Sequence, residues 1–174
     1  MARNAAKKPP RNLTAYWQME AANVLFVPGL ALVFGWPRTA IGAVALALAI
    51  VATAGFLVVG TLYWRGLDRR LKGLGRESLE RALAFADRVE RPLLVATAAA
   101  VAATVADVAI DGFTATAIAA VVLTLLAVLE YVNYYRWQLQ YFDNAADLKR
   151  LFTTGRLRRA HLARDLADFR AKRP

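Results

Sequence analysis

Residues 39–64 read TAIGAVALALAIVATAGFLVVGTLYW, a run of about 25 residues without a single charged side chain. A helix needs about 20 apolar residues to cross the hydrocarbon core of a bilayer, which is about 30 Å thick. A run of this length and composition is typical of a transmembrane helix rather than of a helix buried in a soluble domain. It predicts that the chain is an integral membrane protein.

Three further apolar segments lie on either side of this run. Pro28 and Gly29 interrupt the first of them, but in a membrane such a pair more often kinks a helix than ends it. The chain is 58% hydrophobic, with no Cys and one His, which excludes a disulfide scaffold and metal sites built from Cys or clustered His. We predict an all-α integral membrane four-helix bundle (residues 16–135), with spans at about 17–36, 39–64, 92–110 and 113–135.

The basic residues are strongly segregated. All but one of the 23 Lys and Arg residues lie in the N-terminal tail, between the second and third spans, or after the fourth span, and the exception is Arg38. Four crossings would place these three segments on one side, and Lys and Arg beside spans stay cytoplasmic. We therefore expect both termini in the cytoplasm and, from the Arg-rich, Cys-free composition, a location in a bacterial inner (cytoplasmic) membrane.

The segments outside the spans are predicted to be basic and largely helical. Residues 1–15 form a basic tail, and residues 76–90 an amphipathic link helix that lies on the bilayer surface against anionic lipid. Pro92 would then occupy the first turn of the third span. The fourth span is expected to continue as a helix to about residue 150, followed by a final helix over about 156–170 within the basic tail 136–174. His161 is interpreted there as an ordinary surface residue.

Ionisable residues inside a membrane are costly, and by default they are candidates for function. Glu20 and Glu130 lie at similar depths near the cytoplasmic ends of the first and fourth spans. Asn23 and Asn133 each follow one of these glutamates by three residues, on the same helix face, and Tyr134 follows Glu130 by four. If the two faces meet, they form a polar cluster that can bind a proton or a cation. The alternative is that these residues are structural, holding the helices together by hydrogen bonds.

A second pair of carboxylates, Asp107 and Asp111, lies near the opposite end of the third span. Two carboxylates four residues apart on one helix face could hold a cation. At this outer edge, however, Asp111 is expected to be the N-cap of the fourth span, and both carboxylates are expected to be solvated.

The least generic stretch of the chain is EYVNYYRWQLQYFD, residues 130–143. On a helix, Glu130, Tyr134, Trp137 and Tyr141 would share one face. The stretch is predicted either to form an extended interfacial aromatic belt or to contact a partner or a lipid. The candidate contact residues are Tyr131, Tyr135, Arg136, Trp137, Gln138 and Tyr141.

No nucleotide-binding loop, catalytic constellation, metal-ligand set or nucleic-acid-binding signature is found in the sequence. We predict no cofactor, no metal and no nucleic-acid partner, and we do not expect an enzyme. The leading hypothesis is a scaffold or accessory subunit that presents its aromatic stretch and basic tail to a protein partner or to anionic lipid. The alternative is a small oligomeric transporter, coupled to protons or cations, that uses Glu20 and Glu130.

Overall fold

The computed structural model describes residues 13–139 and 157–172, and these ranges contain five α-helices. The helices are α1 (Leu13–Phe34), α2 (Ala40–Leu71), α3 (Glu77–Asp111), α4 (Ala115–Tyr135) and α5 (His161–Ala171). The first four are each long and apolar enough to cross a membrane. The prediction of an all-helical chain with four apolar helices is confirmed.

Consecutive long helices run in opposite directions. Thr14, at the start of α1, donates a hydrogen bond to Asp68, near the end of α2. We call this end of the bundle, with the α2–α3 loop and the end of α4, the inner end, because the charge pattern predicts it to be cytoplasmic. The opposite end is the outer end. Helix α2 is central, since it contacts α1, α3 and α4.

Two packing regions divide the bundle along its length. The outer half is built on small side chains, so that the helices approach closely. Its buried residues are Ala45, Leu46, Ala49, Ala100, Ala120 and Leu123. The inner half contains larger side chains contributed by α2, α3, α4 and α5. Among them are Phe56, Tyr63, Leu79, Leu83, Tyr134, Tyr135, Leu162 and Leu166.

Helices α2 and α3 form a hairpin that is longer than a bilayer is thick. They contain 32 and 35 residues, or about 48 and 52 Å at about 1.5 Å per residue. Gly73 and Gly75 form the turn between them with φ angles of 76° and 91°, which favour glycine. With the outer end at the membrane boundary, the inner end of the hairpin extends about 20 Å past a hydrocarbon core of about 30 Å.

The prediction of a separate link helix was wrong. Helix α3 runs without a break through Pro92, which therefore does not begin a span. The predicted apolar face of residues 76–90 does not lie free for a bilayer surface, because α2 and α5 cover it. Its residues Leu79, Ala82, Leu83 and Ala86 are buried, and Val89 is half-buried.

The predicted continuation of α4 was also wrong. The helix ends at Tyr135, and the Asn133 side chain accepts a hydrogen bond from the Leu139 N–H at 2.9 Å. The backbone of residues 136–138 then pairs with that of residues 158–160: Gln138 N donates to Arg158 O at 2.8 Å, and Ala160 N to Arg136 O at 3.1 Å. This pairing replaces the helical hydrogen bonds. The predicted helix over 140–150 lies outside the described residues.

The tail helix α5 belongs to the fold and is not a free basic arm. Leu162 and Leu166 are buried in the inner core. Tyr63 Oη donates to Asp165 Oδ2 at 2.9 Å. Arg170 forms ion pairs with Asp87 at 2.7 Å and with Glu90 at 2.6 Å, and the hydrogen bond to Glu90 is the main cause that raises the pKa of Arg170.

His161, at the start of α5, is not an ordinary surface residue. It is half-buried, with its ring centroid 6.1 Å from that of Trp64.

A polar latch joins α1 to the inner end of α2. Asp68 lies beyond Trp64, where the predicted second span ends, and its Oδ2 accepts hydrogen bonds from three groups. These are Thr14 Oγ1 at 3.1 Å, Trp17 Nε1 at 3.3 Å and Lys72 Nζ at 2.8 Å. The hydrogen bond from Lys72 is the main cause that lowers the pKa of Asp68 below its ordinary value of 3.8.

We expect Asp68→Ala to destabilise the protein by about 1–3 kcal/mol, because it removes three partly buried hydrogen bonds, one of them from a charged group. The stabilisation by the Asp68 carboxylate is fully present above pH 3.8, and it is lost as the pH falls through the lowered folded-state pKa. Thermal unfolding in detergent as a function of pH measures both effects. Glu77→Gln, at a side chain that is 90% exposed, is the matched control. Equal melting temperatures for Asp68→Ala and the wild type at neutral pH would contradict the latch.

Candidate functional site

Glu20 is directed into the bundle from a helix that exposes most of its large apolar residues. Its side chain is 4% exposed, whereas Leu25 is 80% exposed and Phe34 is 75% exposed. In a soluble protein the charged residue would be exposed and the apolar residues buried. A helix surrounded by hydrocarbon requires the opposite arrangement. α1 therefore brings a carboxylate to the interior at the inner end.

Tyr134 of α4 meets this carboxylate. Its hydroxyl donates a hydrogen bond to Glu20 Oε1 at 3.1 Å, and Tyr134 itself is 2% exposed. Tyr16 lies one turn before Glu20 on α1, near the same carboxylate. Gly60 of α2 makes room for this arrangement, since a Cβ at that position would collide with the Tyr134 hydroxyl. Three helices thus build one site.

Glu130 lies one turn before Tyr134 on α4 and is 9% exposed. Its carboxylate lies near the Asn133 side chain and is close enough to Glu20 for the two carboxylates to interact electrostatically. One oxygen of each glutamate, Oε2 in both cases, is shielded from solvent and has no hydrogen-bond partner. Among the ion pairs of the described residues, none involves either glutamate.

This arrangement is suited to holding a positive charge. Two carboxylates shielded from water repel each other, and burying a charge is costly unless it is paired. A proton or a small cation on the unpartnered oxygens would remove both costs. The tyrosine hydroxyl can accept as well as donate, so it can adjust when a cation binds or leaves.

The structure brings together three of the five residues of the predicted polar cluster: Glu20, Glu130 and Tyr134. Asn133 contacts Glu130 and also caps the end of α4. Asn23 is half-buried on α1, and no contact in the structure joins it to the cluster.

The sequence interpretation missed Tyr16 and Gly60. The spacing of four residues between Tyr16 and Glu20 was a usable signal. For Gly60, nothing in the sequence points to Tyr134.

The aromatic stretch is largely used inside the molecule. The Tyr135 hydroxyl donates to Ala86 O at 2.9 Å, and its ring stacks on that of Tyr131 at 5.6 Å between centroids. Arg136 lies over the Tyr131 ring and donates to its hydroxyl at 3.0 Å. Trp137 is 49% exposed and lies beyond the end of α4, so the predicted helix face shared with Glu130 does not extend to it.

The other two contact residues predicted in this stretch are Gln138 and Tyr141. Gln138 lies in the backbone pairing with residues 158–160. Tyr141 lies outside the described residues.

The predicted roles of the outer aspartates were wrong. Thr114, not Asp111, caps α4: its hydroxyl accepts a hydrogen bond from Ala117 N at 3.1 Å. Asp111 is the last residue of α3, and Gly112 with φ 72° turns the chain away from it. Asp107 is only 1% exposed and is therefore not solvated. The small residues of the α2 and α4 first turns allow close packing around this side chain.

Comparison of the chain with protein-family models, with curated proteins and with solved structures found no match.

Proposed function

We propose that this chain is a small multi-pass membrane protein that binds a proton or a cation at Glu20 and Glu130 and couples that binding to transport. One observation carries the proposal: two buried carboxylates at the inner end are close enough to interact electrostatically, and each has an oxygen without a hydrogen-bond partner. Buried polar groups that serve only to hold helices together normally have their hydrogen bonds satisfied. Here the unsatisfied atoms are both acceptors, which suits a positively charged ligand.

The charge pattern supports a bacterial inner membrane with both termini in the cytoplasm, so the site would open toward the cytoplasm. Helix α1 contacts the bundle along one face and exposes large apolar side chains along the other. That exposed face suits lipid or a second copy of the chain, in keeping with an oligomeric transporter.

Flux through reconstituted protein tests the proposal. The full chain in vesicles that contain a pH-sensitive dye is expected to admit protons, or alkali ions followed with an ion-sensitive dye, when a membrane potential is imposed. Glu20→Gln and Glu130→Gln are expected to reduce the flux to that of protein-free vesicles, because each removes a carboxylate that holds the cation. Tyr134→Phe is expected to lower the flux by removing the hydrogen bond to Glu20.

The matched control is Glu77→Gln, which makes the same chemical change at an exposed inner-end position. It is expected to leave the flux unchanged. Wild-type vesicles without flux of protons, Na⁺ or K⁺ above the protein-free background would refute the transport function.

A scaffold or accessory role is the second candidate. The observation that favours it is the inner-end projection, where the α2–α3 hairpin and α5 form a folded platform beside the exposed Trp137. Crosslinking and affinity recovery from native membranes would then yield a partner that is lost in Trp137→Ala but kept in Glu20→Gln. Loss in Glu20→Gln alone would argue against this role.

A further inference from the structure

The outer end contains a second buried acidic group. Asp107 of α3 lies against the first turns of both α2 and α4. Its Oδ1 is 3.2 Å from the point where a Cβ on Gly42 would be, and a methyl group of Thr116 is 3.2 Å from the same point. Asp107 is 1% exposed. A carboxylate is thus enclosed between two helix N-termini.

One backbone donor at each of those N-termini is already engaged. Gly42 N donates to the Thr39 hydroxyl at 3.2 Å, and Ala117 N donates to the Thr114 hydroxyl at 3.1 Å. Asp107 Oδ2 has no hydrogen-bond partner although it is shielded from solvent. Asp111, one turn later, is close enough to interact with Asp107 electrostatically, and its own shielded Oδ2 has no partner either.

The charges around this pair do not balance. Two carboxylates carry two negative charges, and the C-terminus of α3, near which both lie, adds about half a negative charge. The N-termini of α2 and α4 contribute about half a positive charge each. About one and a half negative charges are left. Arg38, which the sequence places at this end, is exposed and takes part in none of the ion pairs of the described residues. One monovalent cation would offset most of this negative charge.

Two oxygen atoms and one methyl carbon line the available space. Thr39 Oγ1 lies 3.1 Å from the Cβ position of Gly42, beside the Asp107 oxygen already noted. The absence of a side chain on Gly42 keeps this space open. The Thr39 hydroxyl accepts the hydrogen bond from Gly42 N and retains a further lone pair. Carboxylate and hydroxyl oxygens are hard ligands, which suit hard cations.

We propose that Asp107 and Asp111, with the hydroxyl of Thr39, form a Na⁺ site at the outer end of the bundle. This site is separate from the Glu20–Glu130 cluster, because Gly42 and Gly60 are 18 residues apart on α2, or about 27 Å along the helix. Its existence does not depend on the transport function proposed above.

Thermal unfolding of the full chain in detergent tests the proposal, with NaCl compared against choline chloride at equal concentration and pH. With Na⁺ at about ten times its Kd, the melting temperature is expected to rise by about 3–6 °C. The rise is expected to disappear in Asp107→Asn and in Asp111→Asn and to persist in Glu77→Gln, at an exposed position outside both sites. Direct binding of radioactive ²²Na⁺ is expected to be lost in the same variants that lose the stabilisation by Na⁺.

Three outcomes would overturn the site. The first is equal melting temperatures and no ²²Na⁺ binding for the wild type. The second is Na⁺ stabilisation retained in both aspartate variants. The third is stabilisation lost only in Glu20→Gln, which would assign Na⁺ to the inner cluster. Should Asp107→Asn fail to fold, Asp111→Asn, at a half-buried position, decides the matter.

Discussion

Gly60→Ala is expected to lower the melting temperature of the protein and to abolish its flux. The added methyl would collide with the hydroxyl of Tyr134 and lie 2.5 Å from its Cζ. Tyr134 is 2% exposed, so its ring cannot move aside into solvent. Overpacking of this kind costs about 1–3 kcal/mol. The displaced ring would also lose its hydrogen bond to Glu20, which would disrupt the proposed cation site.

Gly29→Ala is the matched control for this substitution. Gly29 is also inside a helix of the bundle, but a Cβ there would meet nothing within 4 Å. The change is expected to be neutral or stabilising by about 0.5–1 kcal/mol. The double variant Gly60→Ala with Tyr134→Leu should recover stability without recovering flux. A single Gly60→Ala variant as stable and as active as Gly29→Ala would refute the contact between Gly60 and Tyr134.

Gly66→Ala is expected to separate α2 from α3 at the inner end. The added Cβ would be 2.8 Å from Leu79 Cα, 3.1 Å from Leu79 N and 3.1 Å from Ser78 O. These are backbone atoms of a helix, so they cannot turn aside as a side chain can. We expect a loss near the upper limit for overpacking, about 3 kcal/mol, and a fall in melting temperature of about 6–12 °C.

The tail helix should respond to the same substitution. Leu79 and Leu162 belong to one buried cluster, so a displaced α3 weakens the docking of α5. Limited proteolysis of the purified protein is expected to cleave near α5 faster in Gly66→Ala than in Gly29→Ala. Equal melting curves and equal cleavage rates for the two variants would contradict the close α2–α3 contact at Gly66.

The polar cluster shows how far a sequence interpretation can reach in this chain. The spacing of Glu20 and Glu130 from the ends of their spans predicted that they share a level, because depth follows from counting residues along a helix. The rotation of each helix was not predictable in this way. α1 has almost no amphipathic pattern, so no face of it was marked as inward. Asn23, expected in the cluster, is three residues from Glu20 yet makes no contact there.

Pro92 and Tyr135 show why these helix boundaries could not be predicted from the sequence alone. Pro92 looked like a helix start, but α3 continues through it because both flanking segments pack against the same neighbours. Residues 136–138 contain neither Gly nor Pro and looked helical. The helix nevertheless ends at Tyr135, where backbone pairing with residues 158–160 supplies other hydrogen bonds. Both outcomes depend on segments distant in the chain.

The sequence by itself determined that four helices are apolar and long enough to cross a membrane, and that the basic residues gather in three segments. Each is a property of local composition, since the free energy of transfer to hydrocarbon adds up residue by residue. Only the tertiary structure decided that Tyr134 reaches Glu20, 114 residues away in the chain, and that Gly60 leaves room for it. It also decided that Asp107 is enclosed by the starts of α2 and α4. Such contacts depend on how helices rotate and pack, and that is set by many weak interactions between distant residues acting together.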